Sequence, residues 1–251
     1  MRRLPTARAC DRWTPRAPAC RSAPRVIPWE QLDRAEGSGG GPPLHLMRRG
    51  EEYVIRLGSL ALMSSRAHGS EESLAELACA ALGERAGVRV LVGGLGMGFT
   101  LAAALRVLAA DARVLVAELF PAVIAWNRGP LAHLAGRPLA DPRAEVIEGD
   151  VAATISAAKG AFDAILLDVD NGPAGLTRPG NDRLYSADGL RAGARALRPG
   201  GVLGVWSVQP DREFAQRMAA ADFAVDERIV RARGTRGGRH TLWLGRRPGG
   251  R

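Results

Sequence analysis

The chain has 251 residues, 46% of them hydrophobic, which is enough for one substantial α/β core with a small accessory unit. Its formal net charge of +9 is concentrated at the two ends: residues 1–25 carry +6 and residues 231–251 carry +7, which leaves −4 for residues 26–230. The central part therefore offers no basic patch for nucleic acid, and no apolar run approaches the ~18 residues of a membrane span. We expect neither nucleic acid nor a membrane as partner.

Cysteine and histidine are sparse, and their spacing is not that of a metal site. Cys10, Cys20 and Cys79 form no Cys-x-x-Cys pair, and the four histidines are scattered along the chain. We therefore expect no metal cofactor and a reduced, cytoplasmic protein. A serine hydrolase is not indicated either, because the chain lacks a Gly-x-Ser-x-Gly elbow.

The chain is predicted to start with a tail and a small β unit. Residues 1–25 are rich in Arg, Pro and Ala and lack the apolar segment of a signal peptide, which predicts a disordered tail. In the β unit, residues 26–66, apolar runs around Gly58-Ser59 predict a hairpin, and Arg49-Gly50 predicts a turn before it. Residues 67–246 form the predicted main domain, and residues 247–251 form a C-terminal tail.

The main domain is predicted to begin with a helix over residues 70–83. Ser70 is the predicted N-cap, and an apolar stripe follows at helical spacing until Gly83. Glu71 and Glu72 lie in the first turn, where acids favour a helix N-terminus. These acids could equally face a binding site, and both interpretations stay open.

An apolar strand that runs into a glycine cluster follows this helix. Residues 88–98 read Val-Arg-Val-Leu-Val-Gly-Gly-Leu-Gly-Met-Gly, and Phe99–Leu108 is helical in composition. This order of strand, tight loop and helix is typical of nucleotide-type cofactor sites, where glycines let the backbone approach a ligand. A dinucleotide fingerprint fails because Phe99 stands at its third glycine, and a P-loop is excluded because no Gly-Lys-Ser/Thr follows.

Three further predicted strands end in an acid. Arg113–Glu118 ends in Glu118, about 20 residues past the last glycine, where such folds place an acid against ribose hydroxyls. The next two runs end at Asp150 and Asp168. Because ligands bind at the carboxyl ends of strands in open α/β sheets, all three acids are candidate site residues.

These motifs together resemble the class I S-adenosylmethionine-binding Rossmann superfamily and, within it, the spermidine-synthase-like branch of polyamine aminopropyltransferases. The likeness covers residues 50–246 approximately. Its motifs are Gly93–Gly98, Glu118, Gly149-Asp150, Asp168, Leu184-Tyr185-Ser186 and Leu197–Gly201. The resemblance implies a doubly wound, mostly parallel seven-stranded sheet with a small N-terminal β-hairpin unit, and a Leu-x-Pro-Gly-Gly turn before the fifth strand.

The resemblance also implies roles for individual residues. The glycine loop would face the methionine-like part of the cofactor, Glu118 would hold the ribose, and Asp150 with Val151 would hold the adenine. The implied loop contacts are Gly93, Gly94, Gly96 and Gly98. Asp168 is expected at both cofactor and reaction centre, Glu72 and Tyr185 at an amine substrate. Dimers are common in this family, so a homodimer is a further expectation.

Two positions depart from the family pattern. The family's glycine loop carries an acid that holds the amine of decarboxylated S-adenosylmethionine, whereas this loop has Leu95 and Gly96 there. After the fourth strand the family has a second Asp as base, whereas this chain has Asn171 at that place and Asp170 one residue earlier. Asp170 is the candidate base, because a general base needs only to come within hydrogen-bond distance of the proton that it removes, whatever its position in sequence.

Three functional hypotheses remain open. The first is aminopropyl transfer from decarboxylated S-adenosylmethionine to a polyamine-type amine. The second is methyl transfer from S-adenosylmethionine to a small molecule, because a loop without the acid has no evident need for the decarboxylated cofactor. The third is a non-catalytic cofactor-binding protein. Transfer from a sulfonium needs alignment and a base but no metal.

Overall fold

A computed structural model of the protein describes residues 27–37, 40–169, 172–173 and 182–249. The predicted tail over residues 1–25 and the candidate base Asp170 lie outside these residues. The described chain forms a four-stranded and a seven-stranded sheet, the second flanked by helices. The predicted α/β class is confirmed.

The small sheet is antiparallel, and its strands follow one another in chain order. The strands are β1 Glu30–Ala35, β2 Leu44–Arg49, β3 Glu52–Leu57 and β4 Leu60–Ser64. The predicted turns at Arg49-Gly50 and Gly58-Ser59 are confirmed as the β2–β3 and β3–β4 connections. Strand β1 was not predicted, because its sequence Glu-Gln-Leu-Asp-Arg-Ala is mostly polar and exposed.

The large sheet has the order β10-β11-β9-β8-β5-β6-β7. Its strands are β5 Arg89–Gly93, β6 Arg113–Glu118, β7 Ala144–Glu148, β8 Phe162–Leu167, β9 Leu197–Ser207, β10 Ala224–Arg233 and β11 Arg236–Arg246. The pairs among β5 to β9 are parallel, and β10 and β11 close the sheet as an antiparallel hairpin. The predicted strands in this part are confirmed.

The helices connect these strands. They are α1 Gly69–Ala80, α2 Phe99–Val107, α3 Pro121–Arg128, α4 Val151–Ala157, α5 Asp182–Tyr185, α6 Ala187–Ala196 and α7 Arg212–Ala220. Side-chain oxygens of Asp150, Ser186 and Asp211 accept backbone N–H bonds at the starts of α4, α6 and α7, which satisfies amides that lack an intrahelical partner. No described helix is long and apolar enough to cross a membrane.

Two local predictions are wrong. The first turn of α1 begins at Gly69 after His68, and Ser70 does not cap it, because its hydroxyl bonds to other side chains. Leu197–Gly201 is a bulged start of β9, since the pairing with β8 jumps from Leu197 to Val202. A Pro-Gly-Gly sequence thus lies within an irregular strand that sequence alone reads as a turn.

The order of strands creates a crevice between β5 and β8. The chain runs outward from β5 through β6 to β7 on one side, and from β8 to β9 on the other. Loops at the carboxyl ends of β5 and β8 therefore leave in opposite directions, which is the usual place for a ligand in a doubly wound sheet.

The small sheet shares a core with the large one. Leu44, Leu46 and Ile55 are buried in the same apolar cluster as Val90 and Val92 of the central strand β5. This packing places the inner face of the small sheet over the carboxyl end of the large sheet, where it helps to enclose the crevice.

Candidate functional site

A cleft that is partly open to solvent lies at the carboxyl ends of β5, β6, β7 and β8. Its floor comes from the large sheet, and one wall comes from Leu44, Ile55, Leu62 and Met63 of the small sheet. The polar residues of the lining are Glu71, Glu118, Asp150 and Asp168. The cleft thus gathers three strand-end acids that lie far apart in sequence.

The glycine loop is shaped by close backbone approach. Gly94 has φ +85°, and a Cβ there would lie 2.7 Å from the carbonyl oxygen of Asp168. At Gly96, with φ +52°, a Cβ would lie 2.5 Å from Cε of Met63. Both glycines line the cleft, whereas Gly93 ends β5 and Gly98 precedes α2, and neither lines it. Only glycine fits at Gly94, because a side chain would meet backbone.

Glu118 anchors this loop from the end of β6. Its carboxylate accepts the backbone N–H of Leu95 at 2.8 Å and that of Phe120 at 2.9 Å. Burial raises the pKa of Glu118 above its usual range, while the backbone hydrogen bonds act in the opposite direction. The side chain is 6% exposed and lines the cleft. Glu118, which is predicted to bind the ribose, is therefore a hydrogen-bond acceptor held in a fixed position beside the glycine loop.

Asp150 is another acid of the cleft lining. Its carboxylate accepts the Ala152 N–H at 2.8 Å, which fixes it as the N-cap of α4. Asp150 and the buried Val151 both line the cleft. The structure therefore brings the predicted adenine-side residues together with Glu118, and their contact with a ligand remains a prediction.

Asp168 and Glu71 form an acidic pair in the same cleft. The Thr100 hydroxyl donates to Asp168 at 2.7 Å, and the Ser70 hydroxyl donates to Glu71 at 2.6 Å. Burial raises the pKa of Asp168 to about 6. Burial, followed by the nearby charge of Asp168, raises the pKa of Glu71 to about 7. The pKa of each carboxyl group is therefore raised toward neutral pH.

The two predicted substrate residues do not line the cleft. Glu72 projects from α1 toward Nδ1 of His68, 3.1 Å away, and its neighbour Glu71 lines the cleft instead. The Tyr185 hydroxyl donates to the carbonyl of Val169 at 3.2 Å, and its ring packs against Phe214. Tyr185 thus holds the segment after β8 through a hydrogen bond to its backbone. Their roles toward substrate remain predictions.

Two further residues, Met63 and Trp206, line the cleft beside the acids and glycines. Met63 of β4 accepts the Met97 N–H at its thioether sulfur, 3.1 Å away, and covers Gly96. Trp206 of β9 is buried in the lining, and its indole N–H has no hydrogen-bond partner within the described part of the chain. Met63 was missed by sequence reasoning because it stands in no motif, whereas Trp206 in its apolar segment is predicted to pack in the core or at the edge of a cofactor.

The charge of the lining is one-sided. Four carboxylates and no Lys, Arg or His side chain line the cleft among the described residues. The rest of its surface is largely apolar. An organic cation with an apolar or aromatic part complements such a cleft. Within the described residues no group of His, Cys, Asp and Glu has the arrangement of a metal site.

Comparison with curated proteins gives partial matches. The chain is 37% identical to putrescine N-methyltransferase 3 of Nicotiana tabacum over 116 residues, which are 46% of this chain and 29% of that protein. It is 39% identical to a polyamine aminopropyltransferase of Nitrosomonas europaea over 100 residues, which are 39% of this chain and 29% of that protein. The matches thus span less than a third of these relatives. No protein-family model matches the chain.

Solved structures match over most of the chain. A spermidine synthase in complex with the transition-state analogue AdoDATO has a TM-score of 0.68 at 18% identity, covering 86% of this chain and 72% of the other. The spermidine synthase of Thermotoga maritima has a TM-score of 0.68 at 19% identity, with the same coverage. A probable spermidine synthase of Corynebacterium glutamicum has a TM-score of 0.59 at 17% identity, covering 85% and 79%. The chain therefore has the spermidine-synthase-like fold, a Rossmann-like seven-stranded sheet preceded by a small β unit.

Proposed function

We propose that the protein is a transferase that moves the aminopropyl group of decarboxylated S-adenosylmethionine to a polyamine-type amine. The main support for this proposal is the Glu71–Asp168 pair, which lies in a cleft that has no basic side chain among its described lining residues. Both the cofactor and the acceptor amine are cationic, so this pair complements them. The fold neighbours and the named relatives support the same chemistry.

The cofactor would lie along the floor of the cleft. In this proposal Glu118 accepts the ribose hydroxyls, and Asp150 with Val151 holds the adenine. The glycine loop, with Gly94 and Gly96 at the cleft surface, leaves room for the sulfonium end. Gly93 and Gly98 contribute by shaping the loop, because neither is in the lining.

The residues of the cleft would prepare the acceptor amine. When bound, the sulfonium cofactor supplies an already activated carbon, so the protein must orient the amine and remove its proton. Asp168, with its pKa raised to about 6 by burial, is mostly ionised at neutral pH and can accept a proton. Glu71 lies in the same lining and can share this role, and Asp170, outside the described residues, remains a candidate base.

Methyl transfer from S-adenosylmethionine is the second candidate. The glycine loop has no acid to hold the amine of the decarboxylated cofactor, since Leu95 and Gly96 stand there. Putrescine N-methyltransferases of Nicotiana tabacum are among the relatives. In this version the amine acceptor and the acidic pair keep their places, and only the transferred group differs.

The experiment is a pair of incubations of purified protein with putrescine and either cofactor, with product identification by mass spectrometry. Spermidine formed from the decarboxylated cofactor supports the first candidate, and N-methylputrescine from S-adenosylmethionine supports the second. Calorimetry with both cofactors measures binding separately from turnover. Binding without product supports a non-catalytic protein, and no binding of either contradicts the proposal.

Substitutions assign the base. We expect Asp168→Ala and Asp170→Ala each to lower turnover at least about tenfold, because general bases contribute at least that much. Asp188→Ala is the control, since Asp188 lies on α6 with a 93% exposed side chain. Unchanged turnover in Asp170→Ala would show that Asp170 is not the base.

A further inference from the structure

Three polar side chains from distant parts of the chain form a hydrogen-bonded row that starts in the cleft. The Ser70 hydroxyl donates to Oε2 of Glu71 at 2.6 Å, and Nδ1 of His240 lies 2.7 Å from the same hydroxyl oxygen. Ser70 is fully buried, Glu71 is buried at the cleft wall, and His240 is half-buried on β11. The row therefore leads from the cleft, through the start of α1, to the C-terminal hairpin.

The outer end of this row faces an exposed segment. A Cβ on Gly238 would lie 3.5 Å from Nε2 of His240, and residues 236–239 are exposed. The imidazole is held on its flank by Trp206, whose ring centroid is 4.7 Å away in an edge-on arrangement. His240 thus joins a buried hydroxyl at Nδ1 to the protein surface at Nε2.

The hydroxyl proton of Ser70 couples the states of its two neighbours. When Glu71 is ionised, Ser70 donates to it and accepts from Nδ1–H of His240. When Glu71 is protonated, its O–H donates to Ser70, whose hydroxyl then donates to Nδ1. Reversal of both hydrogen bonds moves one proton from carboxyl to imidazole without displacement of a heavy atom.

We propose that Ser70 and His240 conduct a proton from Glu71 to solvent. This proton is the one that the acceptor amine releases when it is alkylated. This inference rests on the proposed function. An ammonium acceptor that gains an alkyl group forms a C–N bond, the C–S bond breaks with its electron pair left on the neutral thioether, and one proton is released. The Glu71 carboxylate takes that proton, Ser70 passes one to Nδ1, and Nε2 releases one to water.

The charged surroundings fit a relay of this kind. Asp168 faces Glu71 across the cleft, and burial together with its charge raises the pKa of Glu71 to about 7. Burial lowers the pKa of His240 below its usual range. The other charged groups nearby are paired or on the hairpin surface: His68 with Glu72 on α1, and Arg231 opposite Arg239 on β10 and β11. Because burial lowers the pKa of His240, an imidazolium formed there readily gives up its proton to water.

Ser70 and His240 are positioning residues that act through Glu71, and chemical rescue tests this role. We expect His240→Ala to lower turnover at least about tenfold in dilute, non-imidazole buffer with KM unchanged, and added imidazole to restore it with increasing concentration. Ser70→Ala should give a similar loss. Ser73→Ala is the matched control, because its hydroxyl donates to the Gly69 carbonyl on the same helix and should leave turnover unchanged.

Thermal unfolding and far-UV circular dichroism of each variant show whether it is folded. Unchanged turnover in either Ser70→Ala or His240→Ala overturns the relay, and so does a loss in folded His240→Ala that imidazole does not relieve. If the wild-type protein transfers neither group, the proposed function has failed, and the relay must be measured without turnover.

Histidine NMR gives that independent measurement. In the wild-type protein we expect the His240 ring signals to titrate in step with Glu71, because they share one proton chain. Glu71→Gln and Ser70→Ala should each remove this coupled step and leave a single independent titration of His240. A His240 titration that is the same in all three proteins overturns the inference whatever the enzymatic activity.

Discussion

At the scale of single residues, Glu71 makes stability depend on pH. Its pKa rises from an ordinary 4.5 to about 7 because it is buried and faces Asp168. Between these values the folded protein holds a proton that the unfolded chain has lost. The stability that the folded protein gains by holding this proton is therefore fully present below about pH 4.5. It is lost as pH rises through about 7, the pKa of Glu71 in the folded protein.

The first prediction follows from this linkage. Since a tenfold change in an ionisation constant corresponds to about 1.4 kcal/mol, Glu71 should lower the free energy of unfolding by on the order of 3 kcal/mol between about pH 4.5 and pH 8. Glu71→Gln should remove most of that loss and be relatively more stable at the higher pH. Urea unfolding at both pH values measures the difference, and parallel curves for the two proteins would contradict it.

The second prediction concerns Gly94. A Cβ there would meet the Asp168 carbonyl at 2.7 Å in a backbone conformation with φ +85°. We expect Gly94→Ala to lower the free energy of unfolding by about 2 kcal/mol or more, through the left-handed backbone and the backbone clash. Gly149→Ala is the control, because a Cβ at Gly149 has no atom within 4 Å and its φ is ordinary. Equal stabilities of the two variants in urea would refute the explanation.

At the scale of elements, Asp163 joins three segments at the amino end of the large sheet. Asp163 is the second residue of β8 and is 4% exposed. Its carboxylate accepts hydrogen bonds from Arg85 at 3.2 Å, from Arg198 at 2.8 Å and from the Arg89 N–H at 2.9 Å. Arg198 lies in the bulged start of β9 and Arg85 precedes β5. One carboxylate thus ties the bulge of β9 to the two central strands.

The third prediction tests this junction. Asp163→Ala should destabilise the protein by about 3 kcal/mol, because it leaves two guanidinium groups and a backbone amide without their buried acceptor. Asp188→Ala removes an exposed pair with Arg191 and should change stability by less than about 0.5 kcal/mol. Thermal unfolding of both variants in one buffer measures the difference in stability between them. A shift in Asp163→Ala as small as in the control would mean that the junction adds nothing.

Much of the element pattern could be predicted from sequence. Apolar runs such as Arg113–Glu118 match strand bounds, because a buried parallel strand needs a continuous apolar segment. The bulge of β9 could not be predicted, since Pro-Gly-Gly is typical of turns and its pairing depends on β8. Strand β1 has no apolar pattern because it is an exposed edge.

Strand ends also predicted three of the cleft's four acids, since parallel strands bring their carboxyl ends to one edge. Glu71 and Glu72 could not be separated by sequence, because one helix position decides which of them faces the cleft. The contact of Ser70 with His240 joins residues 170 positions apart, and only tertiary packing creates it.

At the scale of the whole molecule, the two sheets depend on one core. Ile55 of β3 is buried among residues of α1 and of the large sheet and also lines the cleft. Ile55→Ala should destabilise the protein by about 2–4 kcal/mol and lower the midpoint of a single unfolding transition. Leu60→Ala, at a position 47% exposed, should have little effect. Calorimetry that resolves a separate early transition in Ile55→Ala would show that the small sheet unfolds on its own.

The two backbone hydrogen bonds that the Glu118 carboxylate accepts also affect how tightly a ligand can bind there. A free glutamate side chain loses up to about 2 kcal/mol of rotamer entropy when it is immobilised. Two backbone amides already hold the carboxylate of Glu118 in one orientation, so this loss occurs during folding. A diol that binds there meets an acceptor whose direction is already set, and the association itself orders only the incoming molecule.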